Sequence, residues 1–369
     1  MPLKRSSFVS ISLGALLVIG LPAAPVHAQA ATPATQDSGT LKRANADMRR
    51  VLEKLMQLGA KPLGTQTVEE TRRGPSPADA VKAVLRDQGK DPDALMAATG
   101  VKKQNMTYPT AGTTQAIRIY TPPGASGPLP VIVYIHGGGW VIADLDTYDS
   151  SPMALAKKTG AIVASVEYRH APENRFPAAH EDTFAAYKWT LENASKFGGD
   201  PKRVAIAGES AGGNMAIDVA IRARDEKVQM PLHMLLVYPV AGTDLTTPSY
   251  KKNEHAVPLS KPAMEWFVKN TIQSPADLQD PRLNVYGKAN LAGLPPATII
   301  NAEIDPLASD GDLLAAKLKA AGVKTTHEFY KGVTHEFFGM DAVVASAAKA
   351  QDLAARELKS AFKASPATN

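Results

Sequence analysis

The pentapeptide Gly-Glu-Ser-Ala-Gly at residues 208–212 places a serine between small neighbours. An apolar segment precedes it at 204–207, and a helical pattern begins near Ala211. A sharp turn from strand to helix holds a serine hydroxyl above a sheet, and glycines on either side let neighbouring segments pack closely. This pattern predicts that Ser210 is the nucleophile of an acyl-transfer reaction.

A serine hydroxyl is a poor nucleophile at neutral pH, so it needs a base, and that base needs an acid to hold it. The expected chain order is serine, acid, histidine, and only His327 and His335 follow the last plausible acid. His327 falls within an alternating strand pattern and is expected to be packed or on the surface. His335 comes just after that strand, where loops carry function, and is the predicted base.

Four acidic residues follow or end a buried strand that precedes the two histidines: Glu303, Asp305, Asp310 and Asp312. Asp305 comes directly after the strand, so its carboxylate is expected at the same edge of the sheet as Ser210. Asp310 and Asp312 are expected in the first turn of the next helix, where negative charge is favourable. Asp305 is therefore the predicted acid, with Glu303 and Asp310 as alternatives.

The segment His-Gly-Gly-Gly-Trp at 136–140 follows another apolar strand pattern. Acyl transfer passes through a tetrahedral oxyanion, and each N–H group aimed at it contributes about 3 to 4 kcal/mol. A loop that brings N–H groups to one point needs residues without side chains. We predict that Gly137, Gly138 and Gly139, the oxyanion loop, supply these donors, with Gly138 and Gly139 favoured. The N–H of Ala211 is predicted as a further donor.

The elements that must position these residues alternate along the chain from about residue 101. Short apolar strands are predicted at 116–120, 131–135, 161–166, 204–207, 232–238, 297–302 and 325–330, and helices at 152–158, 179–197, 211–224, 308–321 and 342–363. Such alternation predicts an α/β fold with a mainly parallel central sheet flanked by helices on both faces.

Two further segments are expected to form a helical cap over this catalytic domain of residues 101–240 and 295–369. The first is 29–100, a linker followed by helices predicted at 42–58 and 77–88. The second is 241–294, where repeated prolines interrupt the alternation around one helix at 261–271. We interpret 241–294 as an insertion at the loop side of the sheet.

The first 28 residues have the three-part pattern of a secretory signal peptide. Lys4 and Arg5 precede an apolar stretch at 8–21, and a small-residue site ends at Ala28. The apolar stretch is shorter than the roughly 20 residues that a helix needs to cross a bilayer. We therefore expect a cleaved signal peptide at 1–28, a periplasmic or secreted protein, and no stable membrane insertion.

The composition argues against several classes of function. The chain has no cysteine, so disulfides, thiolate metal sites and cysteine nucleophiles are excluded. The net charge of +5 comes from scattered residues, which argues against nucleic-acid binding. The triple glycine shows no G-x-G-x-x-G pattern and no Walker lysine, which argues against a phosphate-binding loop there. His335-Glu336 lacks the second histidine of H-E-x-x-H and the other histidines are dispersed, so no metal is expected.

Five motifs together resemble the bacterial hormone-sensitive-lipase family (family IV) of α/β-hydrolase carboxylesterases. They are HGGGW at 136–140, YRHAPENRFPAA at 168–179, GESAGGN at 208–214, DPL at 305–307 and THEFF at 334–338. The resemblance implies a cofactor-free serine carboxylesterase with the α/β-hydrolase fold, a helical cap and a preference for short acyl chains. It also implies that Ser210, Asp305 and His335 form a triad, with oxyanion donors at 137–139 and Ala211.

The chain departs from the family pattern at three positions. Glu209 replaces the common aspartate and is interpreted as structural. Glu336 replaces the glycine after the base, and we expect it either to perturb the pKa of His335 or to line the pocket. His170 replaces a leucine and has no functional interpretation from the sequence. Four polar residues of the second motif are predicted to form a buried bracket under the site: Tyr168, Arg169, Glu173 and Arg175.

The predicted reaction is hydrolysis of short- to medium-chain acyl esters of small molecules through an acyl-enzyme. The same triad would serve an amidase or a lactone or carbamate hydrolase, and a non-catalytic ligand-binding homologue is a remote alternative. The sequence leaves the natural substrate, the acyl-chain length and the stereochemical preference undetermined. The oligomeric state is also open, with a homodimer as one alternative.

Overall fold

A mixed, mostly parallel sheet of eight strands forms the centre of the computed structural model, which describes residues 38–363. The strands are β1 (Lys102–Thr110), β2 (Thr113–Thr121), β3 (Leu129–Ile135), β4 (Ile162–Val166), β5 (Gly199–Glu209), β6 (Met234–Val237), β7 (Ala297–Ile304) and β8 (Thr325–Thr334). Their order is β1-β2-β4-β3-β5-β6-β7-β8. β2 pairs antiparallel with β1 and β4, and the other neighbours are parallel.

The helices of the described residues lie before, between and after these strands. They are α1 (Ser38–Arg43), α2 (Ala46–Gln57), α3 (Val68–Arg73), α4 (Pro77–Asp87), α5 (Pro92–Ala97), α6 (Ser150–Thr159), α7 (Ala178–Asn193), α8 (Ala211–Asp225), α9 (Pro248–Lys252), α10 (Lys261–Thr271), α11 (Val285–Lys288), α12 (Ala308–Ala320) and α13 (Ala345–Lys363). Three 3₁₀ helices occupy Ala194–Phe197, Pro275–Gln279 and Phe337–Met340.

Side chains alternate between two apolar cores, one on each face of the sheet. In β3, Val131, Val133 and Ile135 belong to one core, and Ile132 and Tyr134 belong to the other. The first core is covered by α7, α8 and α12, and the second by α2, α4, α6 and α13. Because parallel strands are covered on both faces, they consist of near-continuous apolar residues. The predicted α/β-hydrolase architecture is confirmed.

The edge strand β1 is absent from the strands predicted from the sequence. It begins with the exposed polar residues Lys102, Lys103 and Gln104. Buried and exposed residues alternate only near its carboxyl end. It also contains Pro109, which an edge strand tolerates because one side has no partner. A polar edge strand of this kind lacks the apolar pattern by which the central strands were predicted.

The N-terminal helices pack onto the core rather than forming a separate layer. In α2, Met48, Val51 and Leu52 are buried in the same core as Phe337 and Phe338. The Asn45 side chain caps the helix by accepting a hydrogen bond from the N–H of Met48 at 2.9 Å. All described residues belong to one compact unit.

Residues 1–37 and 364–369 lie outside the described part of the chain, and so does the predicted signal peptide at 1–28. Between residues 38 and 363, no helix combines the length and the apolar character that a membrane crossing requires.

Candidate active site

Ser210 lies at the turn between β5 and α8 in a backbone conformation that few residues adopt. Its φ is 56° and its ψ is −119°, and a positive φ is costly for a residue with a side chain. Hydrogen bonds hold the turn on both sides, from the Ser210 N–H to Val237 O at 2.9 Å and from the Val240 N–H to Ser210 O at 3.1 Å. The surrounding structure therefore fixes a strained serine at the carboxyl end of β5.

The glycines beside Ser210 are required by close packing. A Cβ at Gly208 would overlap the backbone of Gly212, and a Cβ at Gly212 would overlap the carbonyl of Ile135. The turn can therefore pack against β3 only with small residues at these positions, which is the physical reason for the motif.

His335 and Asp305 meet Ser210 in one hydrogen-bonded line. The imidazole Nε2 of His335 lies 2.9 Å from Ser210 Oγ, and Nδ1 lies 2.7 Å from Asp305 Oδ2. A carboxylate only accepts, so Nδ1 carries the hydrogen and Nε2 of the neutral ring is free to accept the serine proton. These side chains follow β5, β7 and β8, whose carboxyl ends share one edge of the sheet.

The pKa of His335 is raised above its usual value by its anionic neighbours. Burial alone lowers this pKa, but the charge of Asp305 and the hydrogen bond to it raise it, and Glu336 and Glu209 add to the increase. Asp305 is fully buried, and its Oδ1 accepts a hydrogen bond from the N–H of Leu307 at 2.8 Å. The acid is therefore held in place by the turn that precedes α12.

Glu336 lies beside the base in a left-handed conformation with φ 71°. Its Oε1 accepts a hydrogen bond from the Tyr148 hydroxyl at 2.6 Å and lies 3.8 Å from Nε2 of His335. Burial raises the pKa of Glu336, and the neighbouring His335 partly opposes this increase. Glu336 is thus one of the groups that raise the pKa of His335, in line with the first of the two expectations from the sequence.

Glu209 is buried beneath the serine turn and is surrounded by tyrosines. Its carboxylate accepts hydrogen bonds from Tyr134 at 2.5 Å and from Tyr238. Burial, followed by the charge of Glu336, raises the pKa of Glu209 to about 7. This network ties β5 to β3 and to the residue after β6, which fits a structural role for Glu209.

Each glycine of the oxyanion loop lies where a side chain would overlap another group. A Cβ at Gly137 would meet the Tyr148 hydroxyl, one at Gly138 the carbonyl of Ile142, and one at Gly139 the ring of Phe267. Gly138 and Gly139 have φ values of 97° and 57°. The triple glycine is therefore required by close approach and by positive φ.

Donors for an oxyanion are present at this loop and at the start of α8. Among residues 38–363, no acceptor is bonded to the N–H of Gly138 or Gly139. Ala211 is the first residue of α8, so its N–H is one of the helix's four unpaired donors. These groups are available to bind a ligand oxygen.

The alternative acids have other partners. Asp310 is buried and accepts hydrogen bonds from the N–H groups of Ala241 and Gly242 at 2.9 and 3.0 Å. Asp310 lies in the first turn of α12, as expected from the sequence, and burial raises its pKa to about 8. Glu303 accepts a hydrogen bond from the N–H of Gly332 at 2.9 Å. Neither side chain is bonded to His335.

His327 lies on β8 away from the triad. Its Nε2 is 3.1 Å from Asn301 Nδ2 and 3.3 Å from Asp312 Oδ1. The ring is half-buried beside Asn301 of the neighbouring strand β7, as expected for a packed residue.

The predicted bracket of the second motif is only half present. Tyr168 is buried, and its hydroxyl donates to the carbonyl of Gly137 at 2.8 Å. Arg169 pairs with the buried Asp182. Glu173 and Arg175 are exposed, with Glu173 paired to Arg72. The bracket prediction was wrong for these two residues because they lie on a surface loop that reaches other elements.

An apolar pocket opens between the oxyanion loop, the segment after β6 and α10. It is lined by Trp140, Val240, Gly242, Thr243, Leu245, Met264, Val268, Thr271, Ile272, Leu278 and Leu283. Trp140 directly follows Gly139, and Val240 is bonded to the backbone of Ser210, so the pocket adjoins the serine turn.

One group of side chains within residues 38–363 has the spacing of metal ligands: His136, Glu167 and His170. No local sequence pattern indicated this group, because the two histidines are separated by more than thirty positions.

Comparison with known proteins identifies the family of this chain. Residues 132–339 match a family model described as alpha/beta hydrolase fold. The chain is 39% identical over 290 residues to the carboxylesterase NlhH of Mycobacterium tuberculosis, covering 78% of this chain and 90% of the relative. It is 30% identical over 289 residues to the ethyl acetate hydrolase of Pseudomonas putida, covering 78% of this chain and 88% of that protein.

A solved structure of an esterase from Pyrobaculum calidifontis superposes with a TM-score of 0.73 at 34% identity, covering 85% of this chain and 98% of that one. The sequence and structure comparisons thus agree with each other on the family. The chain belongs to the family IV carboxylesterases of the α/β-hydrolase superfamily and is a carboxylic ester hydrolase.

Proposed function

We propose that Ser210, His335 and Asp305 are the catalytic triad of this serine esterase. The observation that carries the proposal is the line of hydrogen bonds from Ser210 Oγ through His335 to Asp305, at 2.9 and 2.7 Å. This arrangement lets the neutral imidazole remove the serine proton while Asp305 stabilises the imidazolium that forms.

In the first half of the reaction, Ser210 Oγ attacks the ester carbonyl carbon and its proton passes to Nε2 of His335. The carbonyl oxygen becomes an oxyanion, which receives hydrogen bonds from N–H groups of the oxyanion loop and Ala211. The tetrahedral intermediate then collapses. The C–O bond to the alcohol breaks, Nε2 protonates the leaving oxygen, and the acyl group stays on Ser210.

In the second half, water attacks the acyl carbon while Nε2 of His335 accepts its proton. The second intermediate collapses with release of the carboxylic acid and return of the proton to Ser210. Two passes through the same oxyanion site therefore convert an ester and water into an acid and an alcohol.

The substrate is proposed to be a small-molecule ester with a short to medium acyl chain. The apolar pocket beside Trp140 and Val240 supports this, because it adjoins the serine turn and its lining is almost entirely apolar. A relative named ethyl acetate hydrolase points to the same substrate class. An acyl chain longer than the pocket would have to displace α10 or stay in water.

The test is hydrolysis of p-nitrophenyl esters of graded acyl length by the wild type and by Ser210→Ala. We expect a fall in kcat of several orders of magnitude in the variant and a kcat/KM that is highest for short chains. Undiminished turnover by Ser210→Ala would refute the triad, and a maximum at long chains would refute the pocket assignment.

An amidase or a lactone or carbamate hydrolase would use the same triad, so matched p-nitroanilide and lactone substrates should be assayed beside the esters.

The prediction of a signal peptide at 1–28 supports a periplasmic or secreted enzyme. Amino-terminal sequencing of protein recovered from the periplasm tests it, with a mature terminus after Ala28 expected. A homodimer remains an alternative that sedimentation analysis would decide.

A further inference from the structure

Behind the oxyanion loop, two histidines and a glutamate bring their donor atoms together. Nε2 of His136 lies 3.2 Å and Nε2 of His170 lies 3.3 Å from the same oxygen, Oε1 of Glu167. All three ligand atoms lie within 4.8 Å of one another. His136 follows β3 while Glu167 and His170 follow β4, and these parallel neighbours end at one edge of the sheet.

The hydrogen-bond partners of His136 fix which of its nitrogens is available. Its Nδ1 lies 2.8 Å from the carbonyl oxygen of Gly137, so Nδ1 carries a hydrogen. Nε2 of a neutral ring then presents a lone pair towards Oε1 of Glu167, which also has only lone pairs. Two acceptors that face each other in a buried place require a cation between them, either a proton or a metal ion.

The distances accommodate either cation. The 3.2 Å between His136 and Glu167 is at the long end of the range for a hydrogen bond between nitrogen and oxygen. Nitrogen and oxygen ligands at about 2.0–2.2 Å from a tetrahedral zinc ion lie about 3.3 Å apart. Nε2 of His170 is buried and has no hydrogen-bond partner among residues 38–363. It lies 3.3 Å from the same oxygen of Glu167.

Hydrogen bonds hold the carboxylate of Glu167 in place, and the site is partly accessible to solvent. Glu167 Oε1 accepts a hydrogen bond from the N–H of Tyr168 at 3.2 Å, and Oε2 accepts one from Leu145 at 3.3 Å. The side chains of Glu167 and His170 are 18% and 19% exposed, while His136 is fully buried. An ion would therefore have three oriented protein ligands and one side open to water.

We propose that His136, Glu167 and His170 form a binding site for a divalent transition-metal ion of the zinc class, with water as a further ligand. Two imidazoles and one carboxylate are a donor set that suits such ions. The site is separate from the ester chemistry. Its effect is to brace the oxyanion loop, because Nδ1 of His136 and the hydroxyl of Tyr168 both donate to the carbonyl of Gly137.

The test uses the full-length protein after dialysis against a chelator. Zinc chloride is titrated by calorimetry, Tm is measured with and without zinc, and cobalt(II) is added as a visible probe of coordination. The variant is His170→Leu, which restores the residue common in the family. The matched control is His255→Ala, since His255 is an exposed histidine outside the cluster.

We expect the wild type and His255→Ala to bind one zinc ion per chain, with a rise in Tm of about 3 °C or more at saturation and cobalt(II) bands of a low-coordinate site. His170→Leu should fold without metal and bind zinc at least tenfold more weakly, with no rise in Tm. Equal affinity in His170→Leu, no binding by the wild type, or binding that is lost in His335→Asn instead would each overturn the proposal.

Discussion

Glu336 Oε1 lies 3.8 Å from Nε2 of His335, the nitrogen that faces Ser210. The base therefore has a carboxylate on each side, Asp305 at Nδ1 and Glu336 near Nε2. A negative charge at either position stabilises the imidazolium relative to the neutral ring. Where the family commonly has glycine, this chain thus adds a group that influences the proton affinity of its base.

Replacing Glu336 should shift the pH dependence of the reaction. His335 must be neutral to accept the serine proton, so kcat/KM falls as the pH drops through its pKa. Glu336 raises that pKa, so we expect Glu336→Gln to move the acidic limb of the kcat/KM profile to lower pH. Glu328→Gln, at an exposed position on β8, is the control and should leave the limb in place. If the acidic limb stays at the same pH in Glu336→Gln, the charge of Glu336 does not change the pKa of His335.

The two buried aspartates near the carboxyl end of β7 should differ in their effect on activity. Asp305→Asn removes the negative charge beside Nδ1 of His335 and introduces an amide donor there, which favours the wrong imidazole tautomer; such a change lowers kcat by about 10⁴-fold in a serine triad. Asp310→Asn keeps an oxygen for the N–H groups of Ala241 and Gly242 and should retain kcat within about threefold. Steady-state kinetics with p-nitrophenyl butyrate measures both. A larger loss in Asp310→Asn than in Asp305→Asn would assign the acid to Asp310.

Asp310 should also make stability depend on pH. Burial raises its pKa to about 8 in the folded protein, well above the usual value for an aspartate, so the folded state holds a proton that the unfolded state loses. The free energy of unfolding from this group therefore decreases as the pH rises from about 4 to 8, and changes no further above that range. Asp310→Asn removes this dependence. We expect the Tm difference, variant minus wild type, to increase across that window. A difference that is constant with pH would show that Asp310 is ionised in the folded state.

Substitution in the oxyanion loop should lower kcat by more than a loss of protein stability would explain. Gly139→Ala places a methyl group against the ring of Phe267, at a residue whose φ is 57°. The loop must therefore move, and its N–H groups no longer point at the oxyanion. We expect kcat to fall about 10²–10³-fold, the loss measured when an oxyanion donor is removed. Gly112→Ala is the control because it also has a positive φ but lies in open space. It should lower Tm slightly and leave kcat unchanged. Equal kcat values in the two variants would place the donors elsewhere.

Local patterns in the chain predicted the main elements well where burial dictates composition. The central strands and the helices after them were predicted to within a few residues, because apolar period and helix caps are local properties. The edge strand β1 and the short helices α1, α3, α5, α9 and α11 were missed. Each of these helices has six residues or fewer, and β1 lacks an apolar pattern, so the periodicity that identifies the longer elements cannot be recognised in them.

By itself, the sequence determined the serine turn, the triple glycine and the order of serine, acid and histidine, because each requires particular residue types at fixed spacing. The position of Asp305 directly after a strand favoured it as the acid, but only the tertiary structure decided that its carboxylate, and not that of Glu303 or Asp310, contacts His335. The same holds for Glu336 beside the base and for His170 beside His136. Positions far apart in the chain become neighbours when parallel strands end at one edge of a sheet, and no local pattern encodes that distance.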